Sequence, residues 1–120
     1  MKREWQLFAQ DIYDAIQHIK KFVGTMNQKE FLADEKTRSA VTFKIENIGE
    51  ASKNIPTTIK TKYKDLPWAD MAKIRDKITH CYFGIDYKIV WSVVKKDLPA
   101  IEPAVAKILS DLKTSEKKKR

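Results

Sequence analysis

Apolar residues recur three and four positions apart along most of this chain, and only three glycines and four prolines interrupt its 120 residues. A spacing of three and four puts one stripe of side chains on one face of a helix, whereas a strand would need alternation. From about Trp5 to Val23 the stripe is Phe8, Ile12, Ala15, Ile16, Ile19, Phe22 and Val23, with Gly24 as a natural stop. A second helix is expected from Thr25 or Asn27 to about Asn54, turning Val41, Ile45, Ile48 and Ala51 inward, with Phe31 and Leu32 near its start. Pro56 and the residues to Lys64 suggest a short third helix. Asp65-Leu66-Pro67 then opens a fourth, with proline at its first position, Trp68 as its core anchor and Gly84 as its cap after Phe83. The last segment follows Asp86 and carries Val90, Val94, Leu98, Ile101, Val105, Ile108 and Leu112; Pro99 and Pro103 predict a kink or break. The expected fold class is all-α, an up-and-down bundle of four to five helices, in one domain over residues 1–113 with a basic, disordered tail at 114–120.

The segment Arg75-Asp76-Lys77-Ile78-Thr79-His80-Cys81-Tyr82 departs from this plain pattern. Met71, Ile74, Ile78 and Cys81 give it a buried stripe, and Arg75 and Tyr82 fall on the margin of that stripe at about 100° per residue. A guanidinium there needs an anion or a water-filled cleft, because an unpaired buried charge is costly. On a regular helix Asp76 and His80, four apart, share the neighbouring face, so the carboxylate can orient the imidazole. His80 and Tyr82 are expected in the last helical turn, where the helix dipole favours positive charge. A fixed cation, a titratable base and a phenol close together suit chemistry on a phosphate.

Other features bound the function loosely. The formal net charge is +8, but Lys117, Lys118, Lys119 and Arg120 supply half of the excess. That terminal run either adds non-specific attraction to RNA or only aids solubility. Cys81 is the single cysteine, so an internal disulfide is excluded; no apolar run approaches the roughly 20 residues of a membrane span. With no apolar signal region near Met1, the expected location is the cytoplasm. Neither a glycine-rich phosphate loop, a Cys/His zinc spacing nor a nucleophile elbow occurs, so no cofactor or metal is expected. Asp11 and Asp14 lie on a polar face without further convergent ligands, and His18 lies off the apolar stripe; all three read as solvated. Gly49, inside a helix, marks either close packing or room for a ligand or second subunit. Glu46, Asn47 and Glu50 beside it read as solvent-exposed polar residues, or as polar contacts if a second subunit packs there.

Arg75-x4-His80-x-Tyr82 resembles the R-x4-H-x-Y motif of HEPN-domain ribonuclease toxins, specifically the HepT type paired with a minimal nucleotidyltransferase (MNT) antitoxin. The segments Phe43–Pro56, Leu66–Asp86 and Ile89–Pro103 are similar to family segments in the same order. The resemblance spans nearly the whole chain apart from the tail. It implies a HEPN-like bundle, a metal-independent endoribonuclease with Arg75 and His80 as catalytic residues, Asp76 at the polar position after the arginine, and a 2′,3′-cyclic phosphate product. It also implies a homodimer, an RNA substrate, and an antitoxin that silences the toxin by transferring AMP to Tyr82, in a toxin–antitoxin pair of type II or VII. Tyr82 otherwise reads as a packed aromatic with its hydroxyl at a cleft.

Helix geometry bears on the dimer independently. Residues five apart on a regular helix point about 140° from each other. Arg75 and His80 of one chain thus converge on one phosphate only if the helix end distorts or a two-fold axis brings two motif helices together. A reading from another class also stands: a non-catalytic helical adaptor that binds the nucleotidyltransferase. The intact Arg75, His80 and Tyr82 favour the enzyme.

Overall fold

The computed structural model describes residues 4–80 and 84–118, with side chains described through Ser115. Among the described residues eight α-helices follow one another: α1 (Trp5–Val23), α2 (Gln28–Ala33), α3 (Glu35–Lys53), α4 (Thr57–Lys62), α5 (Trp68–Ala72), α6 (Ile74–Ile78), α7 (Tyr87–Ser92) and α8 (Leu98–Lys118). A two-stranded antiparallel ladder, β1 (Thr79–His80) and β2 (Gly84–Ile85), stands between α6 and α7. The fold is all-α, as the periodicity implied. Helix α3 packs on α1 and, on its other flank, on α5 and α6, while α8 closes against α1. Ile12, Ile16 and Ile19 of α1, Val41, Ile45 and Ile48 of α3, and Val105 and Ile108 of α8 are buried at the centre.

Helix α1 keeps its expected bounds, and Gly24 follows it at φ 54°, a backbone conformation suited to glycine. Its stripe is narrower than expected. Phe22 is exposed and stacks on His18 with ring centroids 6.2 Å apart instead of entering the core. The expected second helix is two helices, broken at Asp34. Asn27 forms a reciprocal capping box with Glu30 at the start of α2. Asp34 then leaves the helical conformation and accepts a 2.9 Å hydrogen bond from the Thr37 N–H, which starts α3. That bond holds the Asp34 carboxyl below the usual carboxylate range.

The C-terminal segment is one nearly continuous helical run. Its irregularity is a π-helical turn at Val93–Asp97, in which the Leu98 N–H reaches the Val93 carbonyl five residues back. The widened turn comes just before Pro99, whose ring would crowd the carbonyl four residues earlier in a regular helix. Pro103 lies inside α8 without ending it, and α8 continues past Lys113 to Lys118. Glu102 ties α8 to α1, accepting from Gln17 Nε2 at 2.7 Å and Lys20 Nζ at 3.0 Å. The Gln17 hydrogen bond and then Lys20 hold its carboxyl below the ordinary range, against the opposing effect of burial. Farther along α8, the Tyr63 hydroxyl donates to Asp111 Oδ2 at 2.7 Å. Burial first, and then that bond, push the phenol up to about 12.

Candidate active site

The segment bearing Arg75 and His80 is assembled from short pieces. Trp68 is buried and its Nε1–H donates to the Tyr63 carbonyl at 3.0 Å, which fixes the start of α5 as the sequence suggested. Pro67 stands just outside that helix. Lys73, at φ −100° and ψ 12°, divides α5 from α6. Met71, Ile74 and Ile78 face the core. Gly49 of α3 lets the segment sit close: a Cβ there would meet Ile74 Cγ2 at 3.1 Å and the Met71 carbonyl at 3.4 Å. Of the two readings of Gly49, close packing is the one observed, and its partner is this same chain.

The expected helix to Phe83 is not formed. Helix α6 ends at Ile78, so His80 lies on β1, outside any helix and not in the last helical turn. Thr79 pairs with Ile85 and His80 with Gly84, and the Asp86 N–H donates to the Ile78 carbonyl at 2.8 Å. Residue chemistry explains the switch. Ile78 and Thr79 are β-branched, aromatic residues follow, and the Thr79 hydroxyl donates to the Arg75 carbonyl at 2.6 Å, competing for an acceptor at the helix end. Gly84 has φ 81°, but it serves the hairpin and not a helix terminus, and a Cβ there would meet nothing within 4 Å. Its conformation, not space, favours glycine. Cys81, Tyr82 and Phe83 lie outside the described residues, so the position expected for modification is among those not described.

Arg75, Asp76 and His80 are all exposed, yet one chain does not gather them into one cleft. Asp76 lines a cleft of about 630 Å³ between α5–α6 and the start of α8, with an apolar floor of Met71, Ile74 and Leu98. Lys77 and Asp97 on its rim form a 2.7 Å ion pair. His80 lines a different, shallower cleft of about 530 Å³ with Leu32, Ile85, Asp86, Tyr87 and Lys88. Arg75 borders neither. The shared helix face expected of Asp76 and His80 is lost with the helix itself. Around the motif, Lys73, Arg75, Lys77 and Lys88 are exposed, a basic surface broken by Asp76. Among the described residues, no group of three His, Cys, Asp or Glu side chains is placed to hold a metal ion. No helix among them is long and apolar enough to cross a membrane.

Asp11, Asp14 and His18 line a groove of about 440 Å³ between α1 and α3 together with Lys44, Asn47 and Glu50. Sequence reasoning passed over Arg38, Tyr87 and Lys88. Tyr87 and Lys88 border the His80 cleft, and the Arg38 guanidinium sits 4.7 Å from the centroid of the Tyr87 ring. The cue was the hairpin, since folding back at Gly84 is what brings the start of α7 beside His80.

Comparison with known proteins agrees with the motif. Residues 12–108 match the family described as "Ribonuclease HepT-like". A protein of Thermococcus cleftensis named "Probable ribonuclease HepT" is 42% identical over 108 residues, which cover 90% of this chain and 98% of that protein. A Methanocaldococcus jannaschii protein named as a candidate RNase is 40% identical over 111 residues, 92% of each chain. No solved structure matches significantly. The chain belongs to the HepT-like ribonuclease family.

Proposed function

We propose that this protein is a metal-independent endoribonuclease in which Arg75 and His80 are the catalytic residues. The observation that carries the reading is an exposed Arg75 and an exposed His80, five residues apart at the end of a buried-backed segment, in a chain of a ribonuclease family. In the reaction the RNA 2′-oxygen attacks the adjacent phosphorus and the P–O5′ bond breaks, giving a 2′,3′-cyclic phosphate and a 5′-hydroxyl. His80 takes the proton of the 2′-hydroxyl while water supplies one to the leaving 5′-oxygen, or the reverse, since an imidazole can both accept and donate a proton. Arg75 donates paired hydrogen bonds to the phosphorane, whose added charge it offsets. Asp76 supports the pair from the rim, as an acceptor for RNA.

The catalytic unit in this reading is a homodimer. Arg75 and His80 do not line a common cleft within one chain, and a two-fold axis beside the α6–β1 junction offers a surface on which both copies of the motif meet. Its biological role is that of a toxin in the cytoplasm, held in check by a nucleotidyltransferase antitoxin. There the Tyr82 phenol oxygen attacks the α-phosphorus of ATP, pyrophosphate leaves, and the phenol proton goes to solvent. The anionic adenylate then opposes the positive charge on which RNA binding depends.

The deciding experiment is RNA cleavage in EDTA with wild type, Arg75→Ala and His80→Ala. Wild type is expected to cleave, His80→Ala to lose about 10²–10⁴-fold, the range for general acid–base groups, and Arg75→Ala about 10²–10³-fold, the range for a lost transition-state donor, while both keep their helical circular dichroism. A fully active His80→Ala protein would overturn the catalytic assignment. Cleavage that requires added Mg²⁺ would overturn the metal-independent mechanism, and a wild type that binds a nucleotidyltransferase but never cleaves would leave an adaptor.

A further inference from the structure

The His80 cleft has more construction than proton transfer needs. Its walls come from three parts of the chain: Leu32 at the end of α2, His80 and Ile85 on the two strands, and Tyr87 and Lys88 at the start of α7. Half-buried Arg38 joins two of those walls. Its Nη1 donates to the Leu32 carbonyl at 2.5 Å, and its guanidinium lies over the Tyr87 ring, 4.7 Å from the centroid. A cation on one face of a tyrosine fixes the ring's plane and holds it by cation–π attraction. The ring therefore borders the cleft as a rigid aromatic plate next to the histidine. Asp86 adds a carboxylate to this wall, but its Oδ1 already accepts from the N–H groups of Lys88 and Ile89 at the start of α7. Lys88 stays exposed on the rim.

We propose that this cleft is a nucleobase subsite: an unpaired base of single-stranded RNA stacks on the face of Tyr87 that Arg38 does not cover, and Lys88 meets an adjoining phosphate. The inference rests on the ribonuclease reading for its substrate and adds to it a strand type and a positioning residue. Proteins that read single-stranded RNA stack splayed bases on aromatic side chains, a mode a paired base in a duplex does not offer. Stacking beside His80 holds the neighbouring ribose where its 2′-hydroxyl is within the imidazole's reach. Arg38 acts through Tyr87, keeping the plate in place. The subsite tolerates any base, because every base has a face to stack, and it disfavours double-stranded RNA.

The test uses the intact protein and a short single-stranded RNA with methylated 2′-oxygens, which binds but is not cleaved, carrying 2-aminopurine at each purine in turn. Stacking on Tyr87 is expected to quench the emission at one position, and Tyr87→Leu to weaken binding by roughly 5- to 100-fold. Tyr87→Phe, which keeps the ring, is expected to restore most of that loss. Tyr87→Trp covers the case in which Tyr87→Leu fails to fold, since a larger plate should bind at least as tightly as wild type. No quenching at any position on saturation, or Tyr87→Leu binding within about two-fold of wild type, overturns the subsite. Free AMP is the second arm: if AMP alone displaces the strand as well as unlabelled RNA does, the cleft is a mononucleotide site and the strand proposal falls. His80-dependent cleavage that is indifferent to Tyr87 defeats the subsite and leaves the ribonuclease reading intact. Quenching by a protein that never cleaves does the reverse.

Discussion

The pair α1–α3 and the stretch from Thr57 to Ile78 are built on different principles. Helices α1 and α3 each run for 19 residues, and α3 starts on a side-chain cap from Asp34. Helices α4, α5 and α6 have six, five and five residues, and none of the three begins with a capping side chain. Helices that short do not hold together on local interactions in water. What holds α5 and α6 is tertiary: buried Trp68, Met71, Ile74 and Ile78, and the close approach to Gly49. The lesson is that the long pair is a self-consistent scaffold, whereas the stretch bearing Arg75 and His80 takes its shape from that scaffold.

This contrast can be broken by experiment. The largest effect is expected in the shared core. Ile45→Ala removes a fully buried side chain of α3 and should cost about 2–5 kcal/mol in chemical denaturation. His80→Ala, at an exposed position, should shift the same transition by less than about 0.5 kcal/mol. Equal destabilisation by the two would show that the site is part of the scaffold. Next comes Gly49→Leu, which inserts a side chain where Ile74 Cγ2 and the Met71 carbonyl already crowd a Cβ. It should cost about 1–3 kcal/mol and, by shifting α5–α6, reduce RNA cleavage more than that loss of stability alone explains. Unchanged cleavage would mean that α3 does not set the position of the motif.

A smaller change tests the capped side. Asn27→Ala removes one half of the α2 capping box and should cost about 0.5–2 kcal/mol in thermal unfolding, without altering cleavage. The smallest effect concerns alkali. Tyr63 has its folded phenol raised to about 12 from an ordinary 10.0, so the folded state holds that proton more tightly. Its contribution is complete below pH 10 and is lost as pH rises from 10 toward 12. Tyr63→Phe should flatten the stability profile in that window; an unchanged slope would mean that the Tyr63 phenol does not carry it.

Legibility in the sequence followed the same division. The limits of α1 and the inward register of Val41, Ile45 and Ile48 could be read from spacing, since long stripes average over local exceptions. Trp68 stood out as an anchor by its size, whereas Gly49 was legible only as a choice between close packing and room for a ligand or second subunit. Arg75 and His80 were found as an exception to such a stripe, and both are at the surface. Three features escaped. Asp34 looked like one more polar residue inside a helix, although its carboxylate serves the Thr37 amide better as a cap. The hairpin was hidden because Cys81 kept the helical spacing going while Ile78 and Thr79 favoured extension. The π-helical turn escaped because Pro99 drew attention to itself, when the adjustment lay in the turn before it.

Gly49 has a mechanical consequence. Its helix is a bar about 10–12 Å across, pressed on one side against Ile74 of the motif segment and showing Phe43, 61% exposed, to solvent on another. With no side chain at the contact to act as a cushion, the bar and the segment bearing Arg75 have little play between them. A shift of α3 is therefore passed directly to Ile74 and the Met71 carbonyl instead of being taken up by a flexible side chain between them.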